Sequence, residues 1–299
     1  MTVLLTVLAV LLLAALLLLA AFWGLSAKAQ TPKRRPIERV PDMPYEDITF
    51  PSHGSTLKGW FVPSRTSTPD GAKQPVIIIA HGWNSNRSRV LRYARPLYDA
   101  GYALLLYDAR SHGESDGIPA PSGMAFRDDL VSAVDYLTRR PDIDPERIGA
   151  LGHSLGGFGT VAALWDEHRL RAVVTDSMPV RIETMIYSEL SRLRLPKFPL
   201  AYIIPKIWLR RSRIDRNKAA EFDLIGAIKR RQGSVPVLHV HSRNDDYIPS
   251  AELDYLASHR LAGAEHLYVQ APGHSSSETD PQFWNRVLRF FNEHLCPVT

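Results

Sequence analysis

Between residues 76 and 272 the chain carries six short, almost uninterrupted apolar runs: VIIIA (76–80), YALLLYDA (102–109), RIGALGHS (147–154), AVVTDS (172–177), VPVLHVHS (235–242) and HLYVQAP (266–272). Helix-length segments separate them. A strand with one wet face alternates apolar and polar residues, whereas a strand buried on both faces reads as a continuous apolar run. The pattern therefore predicts an α/β fold, a doubly wound and mostly parallel sheet covered by helices on both sides. Two earlier segments, 46–50 and 57–62, are joined by Ser52-His53-Gly54-Ser55 and read as a hairpin at one sheet edge. The globular domain is expected over 45–295. One gap, from Ser177 to Val235, is too long for a single crossover helix, so a helical cap is expected as an insertion at about 178–233.

Residues 1–27 carry no charged side chain, and their Leu/Ala-rich run exceeds the roughly 20 apolar residues that cross a bilayer core. A transmembrane anchor is expected there, followed by a Pro-containing linker over 28–44. Trp23 sits at the end of the run, where an interfacial aromatic belongs, and Lys28, Lys33, Arg34 and Arg35 follow. Positive charge on that flank alone predicts that the globular domain lies on the cytoplasmic side. The competing reading is a signal peptide, cut near Ala27-Lys28-Ala29 to release a secreted protein. The absence of an early Lys or Arg and the length of the run favour a single-pass anchor.

Composition excludes several classes. With 45% hydrophobic and 22% charged residues the chain is neither disordered, collagenous nor a coiled coil. Its one cysteine, Cys296, permits no intramolecular disulfide and no thiolate cluster. The net charge of +5 does not indicate nucleic acid, because the excess is concentrated within 181–231, where 13 Lys/Arg face five Asp/Glu. There is no phosphate-binding G-x-x-x-x-G-K-[ST] loop and no dinucleotide G-x-G-x-x-G after a first strand, so no cofactor is expected. His239 and His241, with Asp245 and Asp246 nearby, resemble metal ligands in spacing, but strand packing is the simpler reading and no metal is expected.

In an open parallel sheet, ligands gather at the carboxyl ends of the strands. At one such end stands Gly152-His153-Ser154-Leu155-Gly156, a G-x-S-x-G sequence between a strand and a helix. The glycines allow a sharp turn that lifts the Ser154 hydroxyl above the sheet as a nucleophile. A serine hydroxyl needs a base, and the base needs an acid to hold its tautomer. Among the histidines beyond the acid turn, His259 and His294 fall in helical patterns and His266 opens the last strand. His274, just past the end of that strand, is the candidate base. Three strand-end acids remain open: Asp176, Asp245 and Asp246. The backbone N–H groups of Leu155, directly after the nucleophile, and Trp83, in the loop after VIIIA, are the candidate oxyanion donors.

These residues together resemble the α/β-hydrolase superfamily, in particular its lipase-like, monoglyceride-lipase and serine-aminopeptidase-like branch, over about residues 45–295. The resemblance rests on His81-Gly82, on the stretch from Tyr107-Asp108 through His112-Gly113 to Ser115, on Gly152 to Gly157, on His241 through Asp245 to Pro249, and on Pro272-Gly273-His274. It implies a triad of Ser154, Asp245 and His274, and a structural role for His112. Ser242 stands where the family usually has glycine. The expected activity is that of a serine hydrolase acting on a small-molecule or lipid ester. A peptidase or acyltransferase using the same triad, or a membrane-anchored binding module without chemistry, is the alternative. Between 198 and 209 the cap combines Phe198, Tyr202 and Trp208 with neighbouring Arg210, Arg211, Arg213 and Arg216, so it is expected to face a membrane or an acyl chain.

Overall fold

The computed structural model describes residues 1–65, 73–214 and 222–295; Arg216 and Cys296 lie outside the described residues. The described strands form one eight-stranded sheet in the order β1-β2-β4-β3-β5-β6-β7-β8. At one edge, β1 (Glu46–Ser52) and β2 (Ser55–Val62) make the expected hairpin. His53 and Gly54 both have positive φ there, the conformation of a two-residue turn whose twist matches its strands. β2 also runs antiparallel to β4 (Ala103–Tyr107). From β4 onward, through β3 (Gln74–Ala80), β5 (Ile143–His153), β6 (Leu170–Asp176), β7 (Val237–Asn244) and β8 (Ala264–Pro272), every pairing is parallel. Burial on both faces explains the apolar runs: Ile78, Leu105 and Val173 belong to the core on one side, Ile77, Leu104 and Val174 to the core on the other.

Preceding the sheet is α1 (Thr2–Ala29), a helix long and apolar enough to cross a membrane. α2 (Ala94–Asp99) lies between β3 and β4. α3 (Gly123–Thr138) and α4 (Leu155–Ala163) pack together on the first core. After β6 come α5 (Ile182–Arg192), α6 (Leu200–Arg211) and α7 (Leu224–Arg231). α6 contains no buried residue, as befits an element standing off the body. α7 is different. Its Leu224, Ala227 and Ile228 enter the core against α4, so the part that stands apart from the body is narrower than 178–233. α8 (Ala251–Ser258) holds the base of the cap through the buried Glu252 carboxylate, which accepts the Val180 and Arg181 backbone N–H groups at 2.8 Å each. α9 (Pro281–Leu295) closes the second core with Phe283, Val287, Phe290 and Phe291.

The stretch expected as a linker is bound to the body. Asn86 donates through Nδ2 to the carbonyls of Arg35 (3.0 Å) and Pro36 (2.8 Å). The Trp208 indole N–H of α6 donates to the Ser26 carbonyl at 2.9 Å, and Gln30 Nε2 donates to Ser212 Oγ at 2.8 Å.

Candidate active site

Ser154 sits between the last residue of β5 and the first of α4, with φ 52° and ψ −123°. A non-glycine residue in that region costs of order 1–3 kcal/mol and persists only where its surroundings enforce it. The enforcement is visible: a Cβ at Gly152 would come within 2.6 Å of the Gly157 backbone, and one at Gly156 would collide with the backbone at Ala80 and His81. The Ser154 N–H is tied to the Asp176 carbonyl at 2.8 Å. The hydroxyl is thereby aimed away from the sheet, at the N-terminus of α4.

Its partner is His274. The loop after β8 turns at Gly273, with φ 75°, whose N–H donates to the Asn244 carbonyl at 2.9 Å. His274 Nε2 lies 2.9 Å from Ser154 Oγ and its Nδ1 lies 2.8 Å from Asp245 Oδ2. This pairing sets the tautomer: Nδ1–H donates to the carboxylate and Nε2 accepts the serine proton. Asp245 Oδ1 meanwhile accepts the N–H groups of Tyr247 (2.9 Å) and Ile248 (2.8 Å), and its side chain is 0% exposed. Burial alone would raise that carboxyl, but hydrogen bonds from His241 and His274 hold it well below the usual carboxylate range. Asp246, one residue on, is exposed. Asp176 is buried but turned to a different partner set, accepting the Tyr93 hydroxyl at 2.5 Å and lying 3.4 Å from His153 Nδ1. Of the three candidate acids, the structure brings only Asp245 into contact with His274.

The candidate oxyanion donors flank the serine. Leu155 is the first residue of α4, so its N–H is one of the unpaired donors at a helix N-terminus. Trp83 follows Gly82, and Gly82 lies so close to the nucleophile that a Cβ there would be 2.9 Å from Ser154 Cβ. The loop is braced by His81, whose Nδ1 donates to the Gly82 carbonyl at 2.7 Å while Nε2 accepts the Ala109 N–H at 3.0 Å. Burial, opposed by the Gly82 bond and reinforced by nearby His153 and Arg87, lowers His81 to about 4, which keeps it neutral for that double role. The Trp83 ring packs edge-on against His112, and His112 Nδ1 contacts the Arg110 carbonyl at 3.0 Å; its place is in the loop's packing, remote from the proton path.

Several residues at the site carried no local sequence signal. The His153 ring lies tilted against that of His274, with centroids 4.9 Å apart, and reaches Ser275 Oγ at 3.2 Å. Burial first, and Arg92 second, lower His153 to about 4. Tyr247 packs edge-on to the His274 ring and its hydroxyl donates to Glu189 of α5 at 3.3 Å. Asn84 is bound by the chain leading out of α1, accepting Lys33 N–H through Oδ1 at 2.7 Å. His239 and His241 pair instead with Thr175 Oγ1 and the Ile248 carbonyl, each at 2.8 Å, and among the described residues no group of three His, Cys, Asp or Glu is arranged to hold a metal.

Comparison with known proteins gives the same architecture. The family model described as serine aminopeptidase, S33, matches residues 71–224. The uncharacterized protein YfhR of Salmonella typhimurium is 32% identical over 216 residues, a match that spans 68% of this chain and 65% of YfhR. Among solved structures, the esterase Pf2001 of Pyrococcus furiosus superposes with a TM-score of 0.68 at 20% identity, covering 88% of this chain and 99% of the esterase. The α/β hydrolase GrgF from Penicillium gives 0.65 at 22% identity, covering 85% and 99%. The fold is that of the α/β hydrolases, with its mostly parallel sheet.

Proposed function

This chain belongs to the serine aminopeptidase (S33) family of α/β hydrolases, and from that premise we propose that it cleaves carboxylic esters through Ser154, His274 and Asp245 while α1 holds it in a membrane. One observation carries the reading: Ser154 Oγ, His274 and the buried Asp245 carboxylate form a continuous relay with links of 2.9 and 2.8 Å. The P. furiosus esterase of the same fold supports an ester as the bond cleaved.

In this mechanism the Ser154 oxygen attacks the ester carbonyl carbon as His274 Nε2 takes its proton. The carbonyl π pair moves to oxygen, and the Leu155 and Trp83 N–H groups stabilise that oxyanion. Collapse breaks the C–O bond to the alcohol, which leaves with the proton from His274, and an acyl-Ser154 ester remains. Water then gives a proton to His274 and attacks the acyl carbon. The second collapse returns the proton to Ser154 and releases the carboxylic acid. Asp245 stays ionised throughout and stabilises the imidazolium, a role its depressed pKa suits.

Retention of α1 is supported by the bond from Trp208 to the Ser26 carbonyl, and the basic flank from Lys28 to Arg35 favours a cytoplasmic domain. The test is turnover of p-nitrophenyl esters of increasing acyl length by the full chain and by Ser154→Ala, with thermal unfolding to verify that both fold. Loss of several orders of magnitude in the variant is expected. Equal turnover in a folded Ser154→Ala would refute the reading.

A further inference from the structure

The cap carries an exposed apolar patch inside a wholly basic segment. From 192 to 213 there are seven Lys/Arg and no Asp/Glu. Within it Leu193, Leu195, Phe198 and Tyr202 are exposed, Phe198 to 78% and Tyr202 to 60%, and the last two rings meet edge-on with centroids 6.0 Å apart. Large apolar side chains left this open mark an interaction surface.

The position of α1 identifies what covers the patch. Trp23 and Lys28 are the side chains that mark where this helix leaves the hydrocarbon for the headgroup layer. Ser26 lies between them, and its carbonyl accepts the Trp208 indole N–H of α6; Gln30, one residue past the helix, bonds to Ser212. The carboxyl end of α6 is therefore pinned at the level of the headgroups. Phe198 precedes α6 by two residues, and at 1.5 Å per residue Tyr202 lies about 9 Å along the helix from Trp208. Aromatic and aliphatic side chains flanked in sequence by Arg194, Lys197, Lys206 and Arg210 suit the acyl boundary of a bilayer with negative headgroups.

We propose that the 193–202 face of the cap lies on the anionic surface of the same bilayer that α1 crosses, so that a lipid ester reaches Ser154 from the membrane. The inference rests on the reading of α1 as a retained span and deepens the ester-hydrolase reading by naming the substrate class. The path is short. α5 reaches Tyr247 through Glu189, and Tyr247 packs on His274, so the cap that touches lipid also borders the proton relay. The chain leaving α1 reaches the loop of Trp83 through Lys33 N–H, which donates to Asn84 Oδ1 at 2.7 Å.

The test uses the full chain with Cys296→Ser, labelled with an environment-sensitive fluorophore at Phe198→Cys or, as a distant control, at the exposed Arg139→Cys. Each is reconstituted into phosphatidylcholine vesicles with or without phosphatidylserine, in which some acyl chains are brominated to quench. Quenching at 198 should exceed that at 139 by about threefold or more, increase with phosphatidylserine and fall in high salt. A second variant, Tyr202→Asp, should lower the quenching at 198 and lower the ratio of turnover on vesicle-borne to soluble esters. Equal quenching at 198 and 139, or quenching at 198 indifferent to phosphatidylserine, would overturn the proposal. Quenching needs no turnover, so a failure of ester hydrolysis with the quenching intact would refute the enzymatic reading and leave the docking standing.

Discussion

Arg35 donates its Nε to the carbonyl oxygen of Asn84 at 2.7 Å, 49 residues away in sequence. With Lys33 N–H on the Asn84 side chain, this fastens the chain leaving α1 to the residue that follows Trp83. Asn84 adopts φ 54°, a conformation that needs outside support in a non-glycine residue. The segment that follows α1 thus braces the loop of Trp83, the proposed oxyanion donor.

Arg35→Ala and Asn84→Ala should therefore slow acylation by about tenfold, less than the roughly 10²–10³ expected for losing an oxyanion donor outright, because the loop is loosened and the N–H remains. KM should change little, and Arg35→Lys should recover part of the rate. Pre-steady-state release of p-nitrophenol measures the step; a fall confined to KM would contradict the assignment.

Asp245→Asn should lower kcat by about three to four orders of magnitude by removing the acceptor that fixes the His274 tautomer. Asp246→Asn, at an exposed position, should stay near the wild-type rate. The two variants assayed side by side on one soluble ester decide the matter, and comparable losses would refute the role given to Asp245.

Much of the fold and of the candidate site was legible in the sequence. The apolar runs predicted the parallel sheet because double burial leaves that mark, and G-x-S-x-G between strand and helix marked Ser154. Two things were not legible from the residues alone. Asp245 and Asp246 are adjacent, so the choice of Asp245 came from the family resemblance, and the turn after β7 gives its physical reason: Oδ1 of Asp245 binds the Tyr247 and Ile248 N–H groups, which leaves Oδ2 for the histidine. The contacts of Arg35 and Lys33 with Asn84 join distant segments without any periodic pattern. α7 did carry a signal, since Leu224, Ala227 and Ile228 follow the spacing of a buried helix face, but the length of the insertion concealed it.

His239 makes stability depend on acid. It is fully buried on β7, and burial, reinforced by His266, pushes it down to about 3 from an ordinary 6.5. As pH falls below about 6.5 the unfolded chain takes up a proton that the folded chain refuses, so stability is lost toward pH 4. His81, His112 and His153 act in the same direction, and His241, raised by Asp245 against its burial, acts in the opposite one. Comparing wild type with His239→Gln isolates the single group. The variant should be less stable at pH 7.5, and the gap should narrow by about 3 kcal/mol at pH 4.5 in urea unfolding of the detergent-solubilised chain. A gap that does not change with pH would show that His239 is not held neutral.

Everything proposed for catalysis depends on Ser154 being a nucleophile activated by His274. A fluorophosphonate reports this directly, because its phosphorus is attacked by an activated serine and the adduct does not turn over. One adduct per chain is expected by intact mass, mapped to Ser154 in the peptide that follows β5, with labelling abolished in Ser154→Ala and slowed by orders of magnitude in a folded His274→Ala. Labelling of Ser154→Ala at the wild-type rate, or no labelling of the folded wild-type chain, would contradict it.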